Sequence, residues 1–328
     1  MASAVEMVLF FCWLVSVPFY ALFLFTITKY RKKEPFGSPF FTLCRSLGFF
    51  DMLTLVNNWV LLKFPMLDWL YTRDLLRLAP TKLATLFISV AWFTAFGQIF
   101  GIPLLTFNRL SAIVFPHRDA LWWSAERTRI YIAVQFLVAG GLAVPLLFLE
   151  FEYPGLGIHP NDTGPFTVRW LNFDWQAVYF GATTPCLMSL TVACLVTYVA
   201  IFWQVRSHLK QVGPVLGTNQ NKKKNSDIKL AVFGFVLVVL LSVWSYYAFA
   251  MTFADNFDHI VWLTVLYSVL LDVISWCNPY LLLLTSTPVR KHLVKVVCCK
   301  ADTEPAVQVI PLKASSSKPR AQNTTEVN

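Results

Sequence analysis

The sequence predicts an all-α membrane protein in which seven transmembrane helices form one bundle. Hydrophobic residues make up 56% of the chain and charged residues only 14%, whereas a soluble domain carries about 25% charged residues. The apolar residues are grouped into seven runs, each long enough to cross roughly 30 Å of hydrocarbon at about 1.5 Å per helical residue. The lipid bilayer is therefore a predicted partner of the chain.

The predicted spans, one to seven in chain order, cover residues 7–28, 39–62, 82–107, 130–149, 176–203, 230–253 and 261–284. Span one contains no charged residue, so its assignment follows from composition alone. Spans two and seven contain charged residues, which are costly in hydrocarbon. Asp51 and Asp272 lie near mid-membrane and are expected to face the inside of the bundle, whereas Arg45 is closer to the cytoplasmic end of span two and can extend its charge to the interface.

Basic residues mark one side of the predicted membrane. Most of the 27 Lys and Arg residues follow spans one, three, five and seven. Because basic loops stay in the cytoplasm, the N-terminus is predicted outside and the C-terminus in the cytoplasm. The net charge of +9 thus reflects topology, and no nucleic-acid partner is predicted, since no basic fold or aromatic platform accompanies the charge.

The chain divides into one membrane domain, residues 1–297, and a polar cytoplasmic tail, residues 298–328, which is expected to be disordered. Apolar and basic residues alternate from Val289 to Val297, so a short amphipathic helix on the inner leaflet is expected after span seven. Cys298 and Cys299 follow it and are candidates for palmitoylation, with two unmodified cysteines as the alternative.

The outer loops predict one covalent modification. Asn161-Asp162-Thr163 is a glycosylation sequon in the loop after span four, whereas the sequon at Asn323 lies on the cytoplasmic side and should stay unmodified. None of the seven cysteines lies in a predicted outer loop. Structural disulfides on the oxidising side are therefore not expected.

Polar residues inside the spans predict an internal path. Gln98 precedes Arg109 by three helical turns, so both point to nearly one face, and Ala91 repeats that face at the outer end. Asp272, Ser275 and Asn278 recur every third residue and form a polar stripe on span seven. Together with Asp51 they predict a path from Asp272 through Asp51, Gln98, Ser275 and Asn278 to Arg109. Hydrogen bonds that only join helices are the alternative.

Aromatic residues in spans three and six predict the wall of a ligand cavity. The candidates are Trp92, Phe96, Trp244 and Tyr247, with Ala91 and Asp272 beside them. Most aromatic residues in a membrane protein serve in packing or at the interfaces, and that interpretation stays open for each of these. A cavity with this lining would suit a small, mostly apolar molecule, and a peptide ligand is not excluded.

The sequence contains no motif for enzymatic chemistry. A phosphate loop, HExxH, CxxC, a glycine-rich nucleotide motif and a nucleophile elbow are all missing, and the five histidines have no metal-ligand spacing. We therefore expect no enzyme activity, no cofactor and no metal.

Several motifs of the sequence resemble those of G-protein-coupled receptors. Asn108-Arg109-Leu110 with Pro116 is similar to the Asp-Arg-Tyr stretch that ends helix three of rhodopsin-like receptors, and Asn278-Pro279 resembles their helix-seven motif. Asp51 resembles their helix-two aspartate. Several features depart from that pattern: Asn108 replaces the acid, Leu282 replaces the tyrosine of the Asn-Pro motif, and span six lacks the proline.

The pattern is closer to the divergent nematode serpentine chemosensory receptors of the gamma and V classes. Three stretches carry this resemblance: Ser38 to Phe41, Asn108-Arg109 with Pro116, and Asp272 to Arg290. It implies an orphan chemosensory receptor of the plasma or ciliary membrane that transmits the binding of an extracellular ligand to a heterotrimeric G protein.

The resemblance also implies which residues form the activation switch: Asn108, Arg109, Pro116, Asn278 and Pro279. Because Asn108 is not an acid, Asp227 at the start of span six is a candidate substitute partner for Arg109. The alternative function is a transporter or channel that uses Asp51 and Asp272 as a proton or cation path.

Overall fold

The computed structural model describes residues 4–66, 72–153, 168–211, 218–252 and 257–298. Within them the helices, numbered in chain order, are α1 Ala4–Lys29, α2 Pro39–Asn58, α3 Phe64–Met66, α4 Thr72–Leu78, α5 Pro80–Val114, α6 Pro116–Trp122, α7 Ala125–Ala143, α8 Phe173–Gln211, α9 Thr218–Thr252, α10 Phe257–Thr285 and α11 Thr287–Val297. A π-helical turn, Trp59–Lys63, extends α2, and a 3₁₀ turn, Val144–Phe148, extends α7.

The seven long helices α1, α2, α5, α7, α8, α9 and α10 coincide with the seven predicted spans and keep those span numbers below. Six helices in the described part of the chain are long and apolar enough to cross a membrane, and the seventh candidate is the end of α10 counted with α11. The predicted bundle of seven membrane-spanning helices is therefore confirmed. We call inner the end of the bundle next to the basic segments, and outer the opposite end.

Helix starts follow from proline chemistry. Pro39, Pro80, Pro116 and Pro288 each occupy a first-turn position, where a proline loses no helical hydrogen bond and its fixed φ favours the helix. The break between α5 and α6 at Phe115 leaves Arg109 in the last turns of span three. At the far end of the chain, α11 is bent by 101° from the end of α10.

A short β-hairpin lies at the outer end, which the sequence analysis did not predict. β1, Phe151–Glu152, pairs antiparallel with β2, Arg169–Trp170. Two-residue strands are too short to give a period-two pattern. Phe151 and Trp170 are buried against the outer end of span three together with Phe87, so the hairpin covers that end of the bundle.

Span three lies at the centre of the bundle, where it packs against spans two, four, five and six. Its buried residues form one continuous core with buried residues of spans one, two, five, six and seven. Spans four and five instead present many large apolar side chains to the surroundings, including Leu137 and Val199. Such exposure is expected where lipid is the solvent.

Candidate functional site

The largest polar cluster of the bundle interior surrounds Asp51, which is only 2% exposed. The Tyr20 hydroxyl donates a hydrogen bond to the Asp51 carboxylate. Gln98 Nε2 donates to Asp51 Oδ1 at 2.7 Å and Asn278 Nδ2 donates to Asp51 Oδ2 at 3.1 Å. Spans one, two, three and seven therefore meet at one carboxylate, which we call the central cluster.

Ser275 joins the central cluster through Gln98, whose Nε2 lies 3.2 Å from the serine Oγ. Both side chains are fully buried. The structure thus brings together four residues that the sequence analysis grouped: Asp51, Gln98, Ser275 and Asn278. These buried hydrogen bonds stabilise the packing of four helices around Asp51.

A second buried polar cluster lies toward the outer end and contains an ion pair. The Lys63 ammonium contacts the Asp272 carboxylate, and Asn58 Nδ2 donates to Asp272 Oδ1 at 3.0 Å. Asp272 is fully buried and Lys63 is 7% exposed. The ammonium also lies 4.8 Å from the centre of the Trp59 ring. We call these four residues the outer cluster; it ties span two to span seven.

The π turn explains how Lys63 reaches the inside. Three turns of an α-helix hold about 11 residues, so Leu62 and not Lys63 would repeat the face of Asp51 in a regular helix. A π turn closes its hydrogen bond over one extra residue, and the turn here comprises Trp59–Lys63. That extra residue shifts the helical register, and Lys63 takes the inward direction. Such turns are frequent at functional sites.

The structure places the predicted ligand-pocket residues on spans three, six and seven. Trp92 contacts Phe96 with ring centres 5.4 Å apart, and it also meets Trp170 of the hairpin and Phe180 of span five. Ala91 is buried beside it in span three. Trp244 and Tyr247 are buried on span six in the main core. Asp272 contacts span two through the outer cluster.

Arg109 lies at the inner end of span three and is 9% exposed. Its Nη2 lies 3.4 Å from Asn108 Oδ1, a long hydrogen bond. Its guanidinium carbon lies 3.7 Å from the centre of the Phe40 ring at the start of span two. The Arg109 guanidinium therefore contacts an aromatic face and a neutral amide.

Residues 9–299 match the family model described as serpentine type 7TM GPCR chemoreceptor Srv. The chain belongs to this family. It is 23% identical over 290 residues to serpentine receptor class V-1 of Caenorhabditis elegans, a match that covers 86% of each chain. The resemblance to the serpentine receptors of the gamma and V classes is confirmed, and these matches are to class V.

The remaining predicted switch residues of this serpentine chemoreceptor are placed as follows. Pro116 begins α6, and Pro279 lies inside α10 directly after Asn278. Asp227 falls within α9, but its side chain lies outside the described residues. Its contact with Arg109 stays a prediction.

The predicted modification sites of the serpentine chemoreceptor lie mostly outside the structure. Cys298 is exposed at the end of α11, whereas Cys299 and Asn161 fall outside the described residues. Palmitoylation and glycosylation stay predictions. Within the described residues, no group of three or more His, Cys, Asp or Glu side chains is arranged to hold a metal ion.

The sequence analysis did not predict the hydrogen bonds that join the end of span three to the α6 segment in the serpentine chemoreceptor. Ser111 Oγ donates to Asp119 Oδ1 at 2.7 Å and accepts a hydrogen bond from Trp123 Nε1 at 2.6 Å. Both partners follow the end of span three, so Ser111 folds the α6 segment back against it. A serine twelve positions before a tryptophan does not form a recognisable sequence pattern. Ser111 and Trp123 come together only because the chain turns at Phe115.

Tyr20, Lys63 and Phe40 were also missed. Tyr20 lies in the uncharged span one. The sequence there does not distinguish a tyrosine whose hydroxyl is buried from one that lies at the membrane interface. Lys63 follows the predicted end of span two and was counted with the outer loop. Phe40 was noted only as part of a motif. A search for partners of Asp51, Asp272 and Arg109 would have needed the helix registers that the structure supplies.

Proposed function

We propose that this serpentine chemoreceptor transmits the binding of a small, mostly apolar extracellular ligand to a heterotrimeric G protein. Its location is then the plasma membrane, including that of sensory cilia. The observation that carries the proposal is the position of Arg109, a buried cation at the inner end of the central helix. A cation there lies within reach of an intracellular partner as soon as neighbouring spans separate.

Two features support a path between the two ends. Gln98 and Arg109 lie three turns apart on span three, and Gln98 donates to Asp51 at the middle of the bundle. Span seven carries both Asp272 of the outer cluster and Asn278 of the central cluster. A ligand that favours one arrangement of span seven would therefore change the contacts of Asp51, and it can shift the equilibrium only by its differential affinity.

The rival function, a transporter or channel, is less well supported. A proton or cation path needs carboxylates that exchange their partners readily. Asp272 is paired with Lys63, and Asp51 accepts hydrogen bonds from three side chains on three spans. Both carboxylates are therefore held by contacts that stabilise one arrangement, as expected for the core of a receptor.

The decisive experiment applies a panel of small organic molecules to cells that express the full chain together with labelled G-protein subunits. We expect at least one compound to rearrange the subunits, and Arg109→Ala to weaken that response at least about fivefold, the lower range of typical coupling between two sites. Arg45→Ala is the matched control, because Arg45 lies in the inner half of span two and donates to Thr42.

Ionic current or solute uptake would support the rival. If compounds evoke either of these in cells that express Arg109→Ala as strongly as in wild type, without a G-protein response, the receptor proposal is wrong.

A further inference from the structure

The ring of Phe40 is the aromatic partner of Arg109. The guanidinium carbon lies 3.7 Å from the ring centre, and both side chains are buried, with Phe40 2% exposed. A guanidinium stacks well on an aromatic face because the face carries negative charge density. The attraction is larger here than on a surface, since little water competes for the cation.

The neighbouring residue does not supply the same restraint. Asn108 carries no charge, and its oxygen lies 3.4 Å from the guanidinium. The distance from the guanidinium to the Phe40 ring, by contrast, is well below the limit of about 6 Å within which cation–aromatic contacts attract. Of these two contacts, the ring is the one that fixes the direction of the Arg109 side chain.

Phe40 is itself held by span six. Its ring meets that of Phe233 edge to face, with ring centres 6.0 Å apart and planes at 82°, and Phe233 is fully buried. The start of span two is fixed by Pro39, which occupies the first helical turn. One ring therefore connects spans two, three and six at the inner end, and an outward movement of span six would remove its support.

We propose that Phe40 is a positioning residue for Arg109: its ring holds the guanidinium inside the bundle until the inner ends of spans two, three and six separate. The inference rests on the proposed function, in which Arg109 meets the G protein. Loss of the ring should increase the population with an accessible Arg109 about five- to thirty-fold, the change in an equilibrium constant that corresponds to a desolvated cation–aromatic contact.

The test uses the full chain in membranes and phenylglyoxal, which modifies accessible arginines. The rate of modification of Arg109, followed by mass spectrometry of its peptide, should rise about five- to thirty-fold in Phe40→Leu. Phe40→Met, which also removes the ring but keeps a flexible apolar side chain, should give the same rise if Phe40→Leu folds poorly. Phe40→Tyr keeps the aromatic face and should restore the wild-type rate.

Phe41→Leu is the matched control. Phe41 is adjacent and 3% exposed, and its ring contacts those of Phe36 and Phe40. Equal rates of Arg109 modification in wild type, Phe40→Leu and Phe40→Met would overturn the proposal, because a purely packing role tolerates an apolar replacement.

A second readout separates this inference from the proposed function. Basal nucleotide exchange on a heterotrimeric G protein should rise with the modification rate in Phe40→Leu. If Arg109 becomes accessible and exchange stays at the wild-type level, the positioning role of Phe40 stands and the coupling role of Arg109 is wrong.

Discussion

The Lys63 ammonium contacts the Asp272 carboxylate inside the outer half of the bundle, and this ion pair joins span two to span seven. Each charge has lost most of its water, since Lys63 is 7% exposed and Asp272 is fully buried. Removal of one partner from such a pair leaves an uncompensated buried charge, which costs about 3–5 kcal/mol, whereas replacement of both partners by apolar groups is often neutral.

Lys63→Met should therefore lower the free energy of unfolding by about 3–5 kcal/mol. The double variant Lys63→Met with Asp272→Leu should recover most of that loss. A double-mutant cycle on the detergent-purified protein, with unfolding followed by denaturant titration, measures both effects. Additive effects of the two substitutions would contradict the pairing.

Tyr20→Phe removes only the hydroxyl that donates to Asp51. We expect a loss of about 0.5–3 kcal/mol, the range for a buried hydrogen bond to a carboxyl group. Tyr30→Phe is the control, because Tyr30 directly follows the same helix and is also buried, but its ring contacts Phe36 and His292. The comparison uses unfolding midpoints, and equal midpoints for the two variants would show that the Tyr20 hydroxyl adds nothing.

Two glycines should respond in opposite directions to the same substitution. A Cβ at Gly97 would lie 2.3 Å from the ring of Phe50, which packs against Phe136, whereas a Cβ at Gly140 would meet nothing within 4 Å. Gly97→Ala should destabilise the protein by about 1–3 kcal/mol through overpacking. Gly140→Ala should be neutral or stabilising by about 0.5–1 kcal/mol, since alanine favours the helix.

The hydrogen bond from Trp123 to Ser111 should limit opening of the α6 segment. Trp123→Phe keeps an aromatic ring but removes the donor, and a bond of about 0.5–1.5 kcal/mol corresponds to roughly two- to tenfold faster amide exchange. Hydrogen exchange of residues 116–122 measures the change. Trp122→Phe, where the ring stacks on Phe107, should leave the exchange rates near those of wild type.

The charge distribution predicts that Asn161 faces the outside and carries a glycan. Asn161→Gln should abolish the mobility shift that glycosidase produces on the protein from cells, because an oligosaccharide is added only to sequons that reach the lumen. Asn323→Gln should leave the shift unchanged. A shift that depends on Asn323 instead would reverse the predicted topology.

The sequence was informative where hydrophobic runs and polar periodicity decide the structure. The seven spans follow from the length of apolar runs, and the three-residue spacing of Asp272, Ser275 and Asn278 predicted a buried face of span seven. The partner of Asp272 was not predictable in this way. Its ion pair depends on the π turn at Trp59–Lys63, and a local change of helix type has no signal in hydrophobic periodicity.

The hairpin and the Phe40 contact were hidden for related reasons. Strands of two residues are too short for an alternating pattern. A cation near an aromatic ring depends on which helices are neighbours, and single-sequence patterns give only which face of each helix is buried. Side chains that join distant segments, such as Tyr20 with Asp51, therefore required the assembled bundle.

Span seven is attached to the bundle at two points six residues apart, Asp272 to span two and Asn278 to Asp51. Both residues belong to the same helix, α10, and precede its Pro279. A rotation that separates Asp272 from Lys63 also withdraws Asn278 from Asp51, because one rigid segment carries both. Span seven is therefore expected to release both attachments together, so each molecule switches between two arrangements instead of passing through partly released ones.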